Sequence, residues 1–416
     1  MVVEVTHHIA DIEAGRGNPV TEKSSNQSST RETQDQSVQV DRISAKSHTI
    51  SISERLLHFT WAWYLTTMAT GSIGVLIANQ PHKFRGLDTI GKIFLIFELC
   101  LFVLITIGLV QRFWRKPELL ARSLRNPYES LFTPTLFLSI SNIILMIEAY
   151  GTPAAGPWLK TVILILFWIY SACSLLLAVL LYLDLFTARR MTDKDIIPAW
   201  LLPVFPLMLA GTIAGTIAET QPIDRRMSIL IAGTTFQGVG FWVALSVFGP
   251  LMSRLMRIGL PAPALRPGMF ISVGPPAYTS HALIKLSTSF FNSPQISYIQ
   301  RYPDSANVIR YASLALSIFI WCLAFWWLCI SLGTILLDIR DIGFSLVWYS
   351  MIFPNVGLCL ATIDLGKALS SDPIGWIGSG VTIILVILYI YIFSRHILAL
   401  FRGDILWPGK DEDKDS

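Results

Sequence analysis

MFISVGPPAYTSHALIKLSTSFF, residues 269–291, is the stretch on which the topology of this chain turns. Pro275, Pro276, His281 and Lys285 lower its hydropathy, yet it has about the 20 residues needed to cross a hydrocarbon layer of ~30 Å. Counted as a crossing, it is the seventh of ten apolar stretches, the others being 59–77, 90–113, 130–150, 158–186, 196–218, 228–248, 306–337, 342–368 and 374–401. Hydrophobic residues make up 53% of the 416 and charged residues 14%, with a mean hydropathy of +0.55, so most of the chain belongs in lipid. The expected fold class is all-α integral membrane.

Proline organises these stretches. Pro134, Pro206, the Pro275/Pro276 pair and Pro354 fall inside the third, fifth, seventh and ninth, and Gly71 and Gly74 loosen the first. The even-numbered stretches contain no proline. A proline removes a helical hydrogen bond, and in hydrocarbon the freed carbonyl must meet protein or water. Broken helices therefore belong inside a bundle or against a wet cavity, which is the pattern of a channel or transporter. The prolines at 134, 206, 275 and 354 lie 72, 69 and 79 residues apart, and three follow an aromatic closely, in Phe132-Thr133-Pro134, Phe205-Pro206 and Phe353-Pro354. This weak repeat predicts five hairpins closed around a central pore, each with one kinked inner and one straight outer helix.

Lys and Arg set the orientation. The loops after the even stretches carry Arg115, Lys116, Arg122 and Arg125, then Arg189, Arg190 and Lys194, then Arg254, Arg257 and Arg266, then Arg340. The opposite loops hold fewer, offset by acids such as Asp88, Glu219 and Asp304. Both termini are expected in the cytosol. Residues 1–52, rich in Ser, Thr and Gln, read as a disordered tail without a signal peptide or mitochondrial presequence. Residues 53–402 form the membrane domain, and 403–416 an acidic tail. The net charge of +4 follows the inner-face bias and implies no nucleic-acid partner. Neither the five scattered cysteines nor the separated histidines have the spacing of a disulfide framework or a metal site, and no cofactor is implied. An enzyme would need His or acidic residues clustered at one face, and none is apparent.

The seventh stretch holds the densest set of candidate binding groups. Tyr278, His281, Lys285 and Thr288 recur at helical spacing and are expected on one face. A lysine at that depth needs an anion, water or a carboxylate unless it snorkels to the headgroups. His281 has the chemistry to bind or shuttle a proton, or to serve as a hydrogen-bonded core residue. Thr66, Thr70, Ser141 and Asn142 offer uncharged donors to a passing anion, or pack helices together. Gly71 and Gly274 let backbone approach a ligand closely. Glu98 and Asp364 read as proton-coupling carboxylates, as partners of basic groups or, for Asp364, as interfacial. Phe353, beside its proline, either plugs a narrow pore by sterics and dewetting or packs as an ordinary core aromatic.

The segment from His58 through Gly71 to Gly74, the run from Arg266 through Pro276 to Ser280, and Phe353-Pro354 together resemble the fungal malic-acid permeases of the tellurite-resistance/dicarboxylate transporter family, relatives of the plant slow anion channels. The likeness spans residues 55–402. It implies ten helices in five hairpins around a central pore, a homotrimer, and a gating phenylalanine in the ninth helix at Phe353. Relatives often read Gly-Phe-Thr-Ser after the double proline, where this chain has Ala277-Tyr278-Thr279-Ser280. The function expected is transport of small organic anions such as malate and succinate across the plasma membrane, with sulfite or other inorganic-anion efflux as the alternative.

Overall fold

The computed structural model of the chain describes residues 52–188, 195–337 and 342–407. Both expected tails, except residue 52 and residues 403–407, and the basic residues Arg189, Arg190, Lys194 and Arg340 lie outside the described residues. Every regular element described is helical. Among the described residues, ten helices exceed twelve residues: α1 Tyr64–Ala78, α2 Leu87–Arg115, α3 Pro134–Met146, α4 Pro157–Ala188, α5 Phe205–Ile217, α6 Ile223–Ile258, α7 Gly274–Phe291, α8 Ser305–Leu337, α9 Phe353–Ala368 and α10 Asp372–Arg402. By length and composition, eight helical segments suit a membrane crossing. The exceptions are α1, with 15 residues, and α7, whose 18 residues include both prolines, His281 and Lys285.

Each odd stretch becomes α-helical only after its first few residues. A 3₁₀ segment leads into α1 (Trp61–Trp63), α5 (Pro198–Val204), α7 (Pro263–Val273) and α9 (Leu346–Met351). Each proline then sits in the first turn of the α-helix: Pro134 first in α3, Pro206 and Pro354 second in α5 and α9, and Pro275 and Pro276 directly after Gly274. There the missing N–H has no intrahelical acceptor to lose, while the residue before a proline is steered away from α geometry. The prolines thus begin helices rather than bend continuous ones. The even helices are not free of proline either, because α6 extends well past residue 248 and contains Pro250.

Burial divides the helices into two sets. In the segments 198–220 and 346–368, 94% of the apolar window is buried, and in 128–151, 72%; in α2, α4, α6, α8 and α10 the share is 22–33%. The inner helices touch in sequence, α1 to α3, α3 to α5, α5 to α7, α7 to α9, and α9 back to α1. Each outer helix packs against two consecutive inner ones: α2 on α1 and α3, α4 on α3 and α5, α6 on α5 and α7, α8 on α7 and α9, α10 on α9 and α1. Hydrogen bonds between neighbouring inner helices follow the repeat: Thr67 to Ser139, Asn142 to Met68, Ser289 to Gly215 and Tyr278 to Phe353 join residues 72 to 75 apart. The start of the expected C-terminal tail folds back, with Ile405 and Leu406 buried and Arg55 donating to the carbonyls of Leu400 and Leu406.

Candidate functional site

Three inner helices each bring an aromatic to one point, from the first residue of α5 and of α9 and from the first turns of α7. Phe353 of α9 stacks on Tyr278 of α7 at 4.8 Å between ring centroids, and Phe205 of α5 meets Phe353 at 5.6 Å and Tyr278 at 5.9 Å. All three are at most 2% exposed. The Tyr278 hydroxyl donates to the Phe353 carbonyl at 3.2 Å, anchoring one ring to the backbone that carries the next. Two glycines make the cluster possible. A Cβ at Gly274 would fall on the Phe205 ring, and one at Gly357 on the Tyr278 ring. Gly274 therefore accommodates an aromatic, a different task from the ligand approach its sequence context predicts.

One and two turns along α7 the character changes. His281 Nδ1 lies 2.8 Å from Asp364 Oδ2 on α9, and Lys285 Nζ lies 3.8 Å from Asp364 Oδ1. Lys285 also donates to Asn79 Oδ1 at the end of α1, and Lys367 donates to the Asn79 carbonyl, both at 3.0 Å. Three inner helices thus meet at one polar cluster, as they do at the aromatic one. His281 and Asp364 are buried, whereas Lys285 is 24% exposed and Lys367 is on the surface. The ammonium groups of Lys285 and Lys367 and the His281 imidazole thus share one carboxylate, Asp364, so basic groups outnumber acidic ones in the cluster.

The remaining candidates go elsewhere. The Thr70 hydroxyl donates to or accepts from Tyr389 of α10 at 2.8 Å and bonds the Thr66 carbonyl, so it faces an outer helix. Ser141 turns back on the Leu138 carbonyl of its own helix, and Asn142 donates to the Met68 carbonyl of α1, which joins two helices. Thr66 is buried against the Tyr349 segment. Thr288 faces α8, in a small pocket with Arg310 and Tyr311, and does not share the Tyr278 face. Gly71 receives the Glu98 carboxyl group of α2 where its own Cβ would be. Phe205, Gly357, Asn79 and Lys367 were not among the predicted site residues. Only Phe205 had a sequence signal, the repeated Phe-Pro pair. Among the described residues, no three His, Cys, Asp or Glu side chains are grouped to hold a metal ion.

The aromatic cluster and the charged one thus lie along the same helix, within a bundle whose long apolar helices suit a membrane. The sequence matches the SLAC1 family, voltage-dependent anion channels, over residues 58–397, and the chain belongs to that family. It is 38% identical over 371 residues to the malic acid transport protein of Schizosaccharomyces pombe, covering 88% of this chain and 84% of that protein. It is 36% identical over 374 residues to a putative malic acid transport protein of the same organism, covering 88% and 85%. The sulfite efflux pump SSU1 of Arthroderma benhamiae is 22% identical over 339 residues, covering 81% and 89%. The chain is a membrane transport protein and not an enzyme.

Proposed function

We propose that the protein carries small organic anions, C4-dicarboxylates such as malate and succinate foremost, across the plasma membrane along the axis enclosed by α1, α3, α5, α7 and α9. Phe353 is the gate, supported on both sides by Phe205 and Tyr278. His281 and Lys285, with Lys367 and Asn79, receive the carboxylate before it reaches the constriction. In this reading all ten long helices cross the bilayer as five hairpins, both termini lie in the cytosol and the assembly is a homotrimer. The observation that carries it is the succession along α7 of an uncharged aromatic closure and, within two turns, a cluster in which basic groups outnumber acidic ones. A dicarboxylate substrate is favoured by the relatives of 36–38% identity, whose names state malic acid transport.

The test is reconstitution into liposomes with labelled malate, with sulfite as competitor and with pH and voltage varied separately. Saturable malate uptake that excess sulfite displaces only weakly is expected. Uptake of sulfite without malate would transfer the assignment to inorganic-anion efflux, and uptake of neither would overturn it.

A further inference from the structure

Glu98 belongs to neither cluster. It lies within the 29-residue apolar helix α2, is fully buried, and neither carboxylate oxygen has a hydrogen-bond partner among the described residues. Its place is built from the inner wall. Any side chain at position 71 of α1 would collide with the Glu98 carboxyl, so Gly71 is the notch that admits it. Beside the notch, Thr70 is bonded to Tyr389 of α10, and Tyr389 packs on Phe94, one turn before Glu98 in α2.

Among the described residues, no cation is paired with this carboxyl. On α1 the titratable group is Tyr64, bonded to Thr106. After α3 they are Glu148, which accepts from Thr152, and Tyr150, which donates to the Gly74 carbonyl. On α10 the buried ones are Tyr389 and, further along, His396, which is bonded to Tyr349; Tyr391 lies beside Trp348, Arg395 and Arg402 lie beside Asp404 at the far end, and Asp372 begins the helix. Lys92 on α2 itself is exposed, and Asp88 pairs with Lys83 near the start of that helix. At its far end Arg112 pairs with Glu129, beside Arg115 and the helix that carries Glu118, Arg122 and Arg125. His58 precedes Phe59, which meets α2 at Gly108, far along the helix from Glu98.

A carboxylate without a cation or a donor is poorly tolerated in a lipid-embedded bundle, whereas the neutral acid is tolerated much better. We propose that Glu98 is a proton-binding site that controls opening: its enclosure accepts the carboxylic acid, and the carboxylate is accommodated only when α1 moves off α2. α1 is part of the inner ring and touches α9, which carries Phe353, so its displacement and release of the gate are one motion of the wall. A ligand that binds one conformation better shifts the population toward it, and here the proton favours the closed one. Flux is therefore expected to rise with pH.

This inference rests on the transport reading, and the experiment separates the two. Malate flux into liposomes is measured over a neutral-to-alkaline range in which malate stays a dianion, and chloride flux is measured in parallel. Wild-type flux is expected to rise with pH by up to about tenfold per unit, the limit for one linked proton. Glu98→Gln, a neutral mimic of the acid, is expected to hold flux at the low-pH level with less than about twofold variation, while Glu98→Asp keeps the pH dependence. Infrared spectra of the unliganded protein are expected to contain a carboxylic-acid band that Glu98→Gln removes. A Glu98→Gln variant that follows the wild-type pH profile, or that loses no acid band, overturns the proton site. Chloride flux with the expected pH dependence but no malate flux overturns the substrate and upholds Glu98.

Discussion

The two clusters along α7 share α7 and α9 and differ in the third contributor, α5 for the aromatic one and the end of α1 for the polar one, and their chemistry is opposite. The aromatic one, Phe205, Tyr278 and Phe353, is dry and uncharged, and its closure comes from ring packing. The polar one, Asn79, His281, Lys285, Asp364 and Lys367, is half open and carries the charge. In the proposed function, this separation means that the groups that attract an anion are not those that move aside for it. Were the charges placed at the constriction itself, tight binding would oppose release.

If the aromatic cluster is the barrier, Phe353→Ala should raise anion flux about ten- to a hundredfold, equivalent to ~1.4 to 2.8 kcal/mol off the barrier. Unchanged flux in a normally expressed variant would break the contrast. Next in size is Asp364→Asn, which leaves His281 and Lys285 facing each other without their shared counter-charge. Removing one partner of a fully buried pair costs about 3–5 kcal/mol, and the partial exposure of Lys285 reduces this to about 2 kcal/mol. Thermal unfolding in detergent should reveal the loss as a lowered Tm.

Lys285→Gln tests whether the polar cluster attracts the substrate. KM for malate should rise about three- to fivefold while the maximum rate stays within about twofold, the sign of lost uniform binding. A lowered maximum rate with KM intact would instead place Lys285 in the opening step. The smallest effect is expected for Thr70→Val, which removes the bond to Tyr389. It should lower stability by about 1 kcal/mol and leave malate kinetics unchanged, since the hydroxyl faces α10 and not the axis.

How far the site could be read from the chain varied with the reach of the interaction. Pro134, Pro206, Pro275, Pro276 and Pro354 mark the inner helices, because helix breaking is local and lipid forbids it on the outside. Their detailed role was less legible. Each falls in the first turn of an α-helix, which all but Pro134 enter from a 3₁₀ lead, and Pro250 falls in an outer helix once the true length of α6 is seen. His281 and Lys285 stood out as polar groups in an apolar run, but their partners on α1 and α9 lie too far away in sequence for periodicity to reach. Thr70, Ser141 and Asn142 could have faced either way. Short polar side chains serve helix packing as readily as they serve an anion, and the facing helix settles which.

Composition and the placement of apolar runs, prolines and basic loops were enough to establish a helical membrane protein with alternating inner and outer helices, because hydrocarbon imposes its demands residue by residue. Which rings meet at the constriction, which carboxylate answers Lys285 and why residue 71 must lack a side chain depend on separate helices reaching the same point. Those relations arise when the inner ring closes on itself, and no local stretch of chain contains them.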